Sequence, residues 1–330
     1  MDAGLTAGEP GKRLSIIVVT WNSARYLPRC LSGLAAQSWP DVEVIVVDNA
    51  STDASRALAS HTRLIANDTN RGFSAAVNQG IRAATGDYLL LCNPDAYLHP
   101  EYAERLIEAL NREQGFGMAG GKLFRGEGDD IRATEIIDTK GIRMTRSGRH
   151  FDIGQGRRDG EDDCGLGAGV ECFGVSGAAV LYRKAMVDDV SMGDEFLDED
   201  FFAFREDADV SWRAQLFGWR ALHVPDALGV HVRTVTPERR RQLSPAVNMH
   251  SVKNRFLLRL KNEGAYLALR NGVFELARDL VALVATLTVE RTSLPAFAWL
   301  WKNRRRIMVK RREIQRLRRV PDRALAKWFR

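Results

Sequence analysis

The chain has 330 residues, 45% of them apolar, and a net charge of +6. This length and composition fit a globular protein with one large domain plus an appendage, or two domains. The cysteines Cys30, Cys92, Cys164 and Cys172 have no paired-ligand spacing, which argues against a zinc cluster, and the N-terminal stretch lacks the apolar core of a signal peptide.

Residues 14–20 form an apolar, β-branched run that predicts the first strand. The polar turn Trp21-Asn22-Ser23 follows, and Leu27, Cys30, Leu31 and Leu34 then recur at helical spacing within residues 24–38. A second strand, 42–47, ends in Asp48-Asn49-Ala50-Ser51-Thr52-Asp53, with a helix to about residue 60. A short strand, 63–66, leads into Asn67-Asp68-Thr69-Asn70-Arg71-Gly72-Phe73, and a small-residue helix over 74–84 comes next. The run Tyr88-Leu89-Leu90-Leu91-Cys92 is short and continuously apolar, as a fully buried strand of a parallel sheet would be. It stops at Asn93-Pro94-Asp95, because Pro94 has no N–H and pushes Asn93 toward an extended shape.

Asp95 is thereby held at the carboxyl end of a buried strand, where open α/β sheets place their ligands. By itself the tripeptide also reads as an ordinary turn. The strand–helix alternation with short turns implies a parallel, right-handed α/β sheet. The polar ends at 20–22, 48–53 and 93–95 would line one sheet edge, as in a nucleotide-binding crevice.

His99-Pro100 opens a helix expected to run to about residue 114. Gly115-Phe116-Gly117-Met118-Ala119-Gly120 spells the GxGxxG pattern of dinucleotide proteins, but it follows a helix and leads into a strand, 118–124. A helix-ending glycine cluster is the better account. Residues 125–169 read as a long excursion containing a hairpin. A strand over 178–182 follows, then an acidic, aromatic loop over 194–204 and a helix over 206–217 with Gly218 as its cap. Short strands at 221–224 and 228–232 close this part, the second carrying His231.

After residue 249 the segments 253–260 and 265–283 are amphipathic. Asp279 interrupts any long apolar span, and 280–289 is too short to cross a bilayer. Trp299 and Trp301 sit beside Arg304-Arg305-Arg306, and more positive charge gathers in Arg239-Arg240-Arg241 and Lys310-Arg311-Arg312. Such a tail suits a helix lying in a membrane interface. It equally suits a helical subdomain packed on the sheet or on a second subunit, with a solvated basic face. No nucleic-acid partner is expected, since no reading module accompanies the basic residues.

Several motifs, in order, carry a resemblance. Ser15-Ile-Ile-Val-Val-Thr-Trp-Asn22, Val46-Val-Asp-Asn-Ala-Ser-Thr-Asp53, Asn70-Arg-Gly-Phe73 and Asn93-Pro-Asp95 resemble family 2 glycosyltransferases, in the rhamnosyltransferase-like branch that builds cell-envelope polysaccharides. Val175-Ser-Gly-Ala178 and Phe204-Arg-Glu-Asp-Ala-Asp-Val-Ser-Trp-Arg213 look like that family's acceptor-side motifs. The resemblance implies a GT-A, Rossmann-like, mostly parallel α/β sheet flanked by helices, with a C-terminal helical appendage. The expected division is a flexible N-terminus at 1–13, a transferase domain at 14–248 with donor half 14–100 and acceptor half 101–248, and a basic amphipathic helical region at 249–330.

The resemblance also implies roles. Thr20, Trp21 and Asn22 would contact the nucleotide, and Asp48 the base or ribose, with Asp53 close by. Asn70, Arg71, Gly72 and Phe73 would close over the donor, helped by Asn78. Asn93 and Asp95 stand where many relatives carry Asp-x-Asp. Asp95 matches the metal position, His231 a late metal-ligand histidine, Asp207 the catalytic base, and Glu206 its neighbour.

The implied activity is inverting, metal-dependent transfer of rhamnose or another hexose from a dTDP- or UDP-sugar to an envelope glycan or lipid-linked saccharide. Mg²⁺ and Mn²⁺ both suit the ligand types. The cytoplasm, or the inner face of the cell membrane, is the expected location, and a homo-oligomer is allowed. The rival reading is an inactive sugar-nucleotide scaffold. Apart from the resemblance, Glu206-Asp207 could be favourable charge in a first helical turn, His231 a core histidine, and Asp48 and Asp53 turn and cap residues. A paired-carboxylate hydrolase is excluded, since adjacent Glu206 and Asp207 cannot flank one bond at roughly 5–9.5 Å separation.

Overall fold

The apolar runs that read as buried strands form the middle of one large sheet in the computed structural model, which describes residues 12–127, 131–161, 171–233 and 245–330. The expectations for the N-terminal segment, for Cys164 and for Arg239-Arg240-Arg241 fall outside those residues. Strand β1 (Leu14–Thr20) leads through α1 (Leu27–Ala35) to β2 (Val42–Asp48), and through α2 (Ser55–Leu58) to β3 (Arg63–Ala66). Helix α3 (Phe73–Ala83) then delivers β4 (Tyr88–Cys92). These strands pair in parallel in the order β3-β2-β1-β4.

Side chains of β1 alternate between two cores, because a strand has period two. Leu14, Ile16 and Val18 pack with Leu27 and Leu31 of α1, while Ile17 and Val19 pack with Ala76 and Val77 of α3. Both faces are covered, so the sequence shows an unbroken apolar run rather than an alternation.

Beyond β4 the sheet becomes mixed. The chain continues through β5 (Ala96–Leu98), α4 (Tyr102–Asn111), β6 (Phe116–Glu127), β7 (Arg132–Thr139), the hairpin β8 (Ile142–Met144) and β9 (His150–Asp152), β10 (Glu171–Cys172), β11 (Ala179–Arg183), α5 (Lys184–Val190), α6 (Glu206–Leu216) and β12 (Arg220–His231). Strand β11 lies antiparallel between β4 and β6. Strand β12 runs parallel to β6, and its end pairs antiparallel with β5.

Three expectations change. The glycines after α4 do not end a helix: α4 stops at Asn111, and Gly117, Gly120 and Gly121 lie inside β6. They are needed for close packing, since a Cβ at Gly117 would sit 2.6 Å from Met186, and Cβ atoms at Gly120 and Gly121 would overlap Val175 and the Ala227 carbonyl. The two short strands at 221–224 and 228–232 are one strand, with a register shift between Val224 and Leu228 that absorbs Pro225. Strand β5 went unread because three residues after a proline turn carry no period.

The C-terminal region forms α7 (Pro245–Asn262), α8 (Ala265–Thr288), α9 (Pro295–Leu317) and α10 (Asp322–Leu325), so α7 runs across the boundary expected at 248. Among the described residues no helix is long and apolar enough to cross a membrane. Leu257, Leu258, Leu267, Ile307 and Ile314 share a core with Ile17 and Trp212. A buried ionic network holds this packing. Lys261 of α7 lies 2.9 Å from Asp209 of α6 and also pairs with Asp198, while Asn262 donates to Asp209 at 2.6 Å. Lys310 of α9 reaches Asp198 at 2.7 Å and Glu195 at 2.9 Å. The inner faces of the tail therefore pack as a helical subdomain.

Replacing Lys261 with Met would leave Asp198 and Asp209 buried with one fewer cation between them. Removing one partner of a buried pair costs about 3–5 kcal/mol. Equilibrium urea denaturation of Lys261→Met is expected to show a loss of that size; a loss under about 1 kcal/mol would mean the network is solvated.

Candidate active site

Pairing of β5 with β12 builds the first half of the site. Ala96 pairs with His231, and the Val232 N–H donates to the Asp95 carbonyl at 3.0 Å. This register sets His231 Nε2 3.3 Å from Asp95 Oδ1. On its other side His231 Nδ1 lies 2.8 Å from Asp138 Oδ2. Asp138 is fully buried near the end of β7 and also accepts from Arg233 Nε at 2.7 Å. Arg233 reaches Asp152 as well, at 2.7 Å. Burial opposes charge on His231, but the bonds to Asp138 and Asp95 outweigh it and push its pKa up to about 9. Burial likewise opposes charge on Asp138, yet the bond to His231 keeps its carboxyl below the usual range.

An imidazole oriented by a buried carboxylate behind it is the arrangement that metal-binding histidines use. Asp95 and His231 therefore fit a divalent cation as a two-residue set. Among the described residues no group of three or more His, Cys, Asp or Glu could hold a metal. The remaining positions on such an ion would fall to water and phosphate oxygens, as is usual for Mg²⁺.

The second half comes from the start of α6. The chain reaches it through a turn in which Phe202, Phe204 and Arg205 hold positive φ values of 65°, 71° and 72°. Glu206 and Asp207 then occupy the first helical turn. Asp207 Oδ2 accepts the Gly177 N–H at 3.2 Å, and Oδ1 accepts the Ala208 N–H at 2.7 Å. Burial, reinforced by the charge of Asp207, pushes Glu206 up to about 8. Burial also raises Asp207, against the bond from Gly177. Glu206 Oε2 is buried without a hydrogen-bond partner. Raised acids in a cleft are candidates for proton transfer.

Phe73, Asn93, Asp95, His231, Glu206 and Asp207 line one cleft of about 580 Å³. Arg149 of the β8–β9 turn and Asn248 of α7 line it too. The other residues assigned from the sequence lie outside that lining. Thr20 and Asp48 are in register at the carboxyl ends of β1 and β2, and the Thr20 hydroxyl and Asp48 Oδ1 are buried without partners. Trp21 and Asn22 are exposed, and Asn22 Oδ1 accepts the Thr52 N–H at 2.8 Å. Asp53 accepts the N–H groups of Ala24 and Ser55, so it ties two loops as a cap.

Asn49, which the sequence reading did not assign, organises the 70–72 loop. It accepts the Arg71 N–H at 2.9 Å and donates to Asn70 Oδ1 at 3.0 Å and to the Gly72 carbonyl at 3.1 Å. Gly72 has φ +87°, and a Cβ there would lie 2.6 Å from the Phe202 ring, so this loop abuts the turn into α6. Asn78 lies on α3 beside this loop. Its side chain is buried, donating to the Leu197 carbonyl at 2.8 Å and accepting the Leu197 N–H at 3.0 Å. It positions the 197–199 segment. Asp138 and Arg233 were also missed; the only signal for Asp138 was an acid ending a β-branched run.

Comparison with known proteins bears on the family and the fold. The family model described as "Glycosyl transferase family 2" matches residues 15–189. The N-acetylglucosaminyl-diphospho-decaprenol L-rhamnosyltransferase of Mycobacterium tuberculosis is 24% identical over 243 residues, covering 66% of this chain and 75% of that protein. The succinoglycan biosynthesis protein ExoO of Rhizobium meliloti is 38% identical over 100 residues, 29% of each chain. Several curated relatives are matched over only 15–35% of their own length. Among solved structures, the mannosyltransferase PcManGT of Pyrobaculum calidifontis with GDP-Man and Mn²⁺ has a TM-score of 0.52 at 18% identity, covering 94% of this chain and 87% of that one. Staphylococcus aureus TarS 1-349 with UDP-GlcNAc has 0.55 at 19%, covering 86% and 79%. These structural likenesses establish a shared GT-A fold.

The raised acid at Glu206 makes a pH prediction. Its folded pKa of about 8 stands above the ordinary 4.5. The stabilisation from the neutral acid is present at low pH and is lost as pH rises through about 8. Glu206→Gln cannot ionise. Its urea midpoint is expected to gain on the native protein between about pH 5 and pH 8.5; a constant difference across that range would rule out a buried, raised acid.

Proposed function

The chain belongs to glycosyl transferase family 2, and on that premise we propose that it transfers a sugar from a nucleotide-sugar donor to a cell-envelope glycan or polyprenyl-linked saccharide. The observation that carries this reading is one cleft lined by Asp95, His231 and Asp207, residues that are remote in sequence. The name of the mycobacterial relative favours rhamnose and a lipid-linked acceptor, hence a dTDP-sugar donor, with a UDP-sugar as the alternative. Such an acceptor would have the enzyme work as a peripheral protein at the cytoplasmic face of the membrane.

Each residue then has a task. Thr20, Trp21, Asn22 and Asp48 meet the base and ribose; the unpartnered Thr20 hydroxyl and Asp48 Oδ1 support this. Asn70 to Phe73 close over the donor, and Asn93 and Asp95 face its diphosphate. Asp95 and His231 would hold Mg²⁺ or Mn²⁺, which when bound supplies Lewis-acid stabilisation of charge on the departing diphosphate. Asp207 accepts the proton of the acceptor hydroxyl as that oxygen attacks the anomeric carbon and the bond to the diphosphate breaks. One displacement inverts the anomeric configuration. Glu206, its pKa pushed up to about 8 by burial and by the charge of Asp207, is the neutral neighbour of the base. A scaffold without activity would have no use for a pair of raised acids facing the cleft, so the enzyme reading is preferred.

Asp207→Asn is expected to lower kcat by roughly 10²–10⁴-fold with donor Kd within about twofold, read by product formation from a labelled sugar nucleotide. Normal turnover would remove Asp207 from this role. Turnover of the native enzyme should also fail on acidification at a pH above the ordinary carboxylate range, because burial raises Asp207. Asp95→Ala should abolish the difference in donor Kd between Mn²⁺ and chelator that the native protein is expected to show; an unchanged metal response would refute the metal assignment.

A further inference from the structure

The outward side of α8 is apolar over its whole length. Leu269, Val273, Leu276, Leu280, Leu283 and Leu287 recur at spacings of three and four, on the side away from buried Leu267, Asn271 and Glu275. Leu269 is 87% exposed and Val273 80%. The charged residues of α8, namely Arg270, Glu275, Arg278 and Asp279, are all buried or half-buried. Arg259 of α7 takes Glu275 at 3.1 Å and also pairs with Asp279. A contiguous face of this kind marks an interaction site.

Its width points to the occupant. A partner helix needs a narrow seam of two positions in seven, with charged residues flanking it. Here Val281 and Val284 are exposed beside the leucines, and the two charges that flank the face, Arg270 and Asp279, are half-buried, Asp279 being paired with Arg259 of α7. The apolar face is broader than such a seam, as against a lipid phase. Cations follow it in the chain. Arg291 follows α8 and is exposed, as are Lys302, Arg304 and Arg305 on α9, whose only acid is the half-buried Glu313. Trp301 is 70% exposed, with the Arg304 guanidinium 4.3 Å from its ring centroid. An apolar helix face followed in the chain by an exposed Trp and exposed cations has the chemistry of an anionic bilayer's partner.

We propose that the outward face of α8, with Arg291 and the Trp301–Arg304 pair, docks on an anionic phospholipid bilayer and lies in its interface without crossing it. The proposal deepens the functional reading by naming the surface that would present a lipid-linked acceptor. Two elements that line the cleft also hold α8. Arg146 in the β8–β9 turn donates to the Arg270 carbonyl at 2.9 Å and covers the Phe274 ring at 4.0 Å, while Arg149 and His150 beside it line the cleft. Helix α7 lines the cleft with Val247, Asn248 and Ser251 and grips α8 through Arg259. A bilayer against α8 would thus reach the cleft through two shared walls.

The test is co-sedimentation of the full chain with phosphatidylcholine vesicles, with and without a third of phosphatidylglycerol, at low and high salt. The native protein is expected to pellet with the anionic vesicles and to be released by salt. The double variant Leu276→Asp, Leu280→Asp should bind them roughly tenfold or more weakly, because two charges enter the apolar face. Its circular dichroism and its transfer to a water-soluble acceptor should match the native protein. Arg304→Glu, Arg305→Glu should lose the preference for anionic vesicles. The proposal is overturned if the native protein stays in the supernatant at low salt, or if the leucine variant pellets equally. It is also overturned if sedimentation velocity shows a dimer that the leucine variant splits, with no vesicle binding; the occupant would then be a second copy. Vesicle binding without transfer by any form would sink the functional reading and leave the docking surface standing.

Discussion

Three residues of β5, paired with the end of β12, decide whether there is a site at all. Asp95 ends the turn after β4, while His231 ends a strand more than a hundred residues later. Only the antiparallel register Ala96 to His231 and Gly229 to Leu98 brings them together. A slip by one residue would turn His231 to the opposite face of the sheet. The register is pinned from both sides. The Val232 N–H is bound to the Asp95 carbonyl, and Asp138 holds the imidazole from beneath. Asp138 belongs to β7, whose hydrogen bonds run to β6 rather than to β12. The carboxylate–imidazole pair is therefore a property of the mixed half of the sheet and not of the parallel half that first presents Asp95.

The opposite wall depends on strain held in place. Non-glycine residues at positive φ cost on the order of 1 kcal/mol or more each, and Phe202, Phe204 and Arg205 cluster in one turn. Asn254 of α7 donates to the carbonyls of Phe201, Ala203 and Phe204 at 2.9, 2.8 and 2.8 Å. The Ser74 N–H binds the Phe202 carbonyl from the other side. These bonds satisfy carbonyls that a helix or sheet would otherwise use, and so let the backbone turn left-handed. The result is that Glu206 enters α6 buried and Asp207 half-buried, and this loss of solvent is the physical origin of their raised pKa values.

Much of this was legible in the sequence where the physics is local. Continuous apolar runs ending in polar turns gave the parallel strands, and Pro94 gave the end of β4. The motifs gave Asp95, His231 and Asp207, which do meet in one cleft. What was not legible depends on contacts between distant segments. Strand β5 is too short to carry a period. The glycine cluster at 115–120 read as a helix stop because the real cause of Gly117 and Gly120, the approach of Met186 and Val175, is tertiary. The partner of Asn78, the backbone of Leu197, lies more than a hundred residues away and carries no local signal. Asn49 and Asp138 escaped notice because neither is distinguishable, as a residue type, from a turn asparagine or a strand-ending acid.

The tail shows how far a compositional reading can go. Its amphipathic helices suggested a membrane surface or a packed subdomain as alternatives, but the inner and outer faces answer separately. Inward, Lys253 binds the Asp200 carbonyl, Asn254 holds the strained turn, and Lys261 balances Asp198 and Asp209. Those contacts fall on the segment that delivers Asp207, so α7 is a structural part of the cleft. Burying lysine there is tolerable only because two carboxylates and an asparagine meet the charges in one place. Outward, α8 has no such partners and keeps its leucines exposed. The boundary that matters physically thus runs along the axis of the helices, between a polar, buried face and an apolar, open one, rather than across the chain at any residue number.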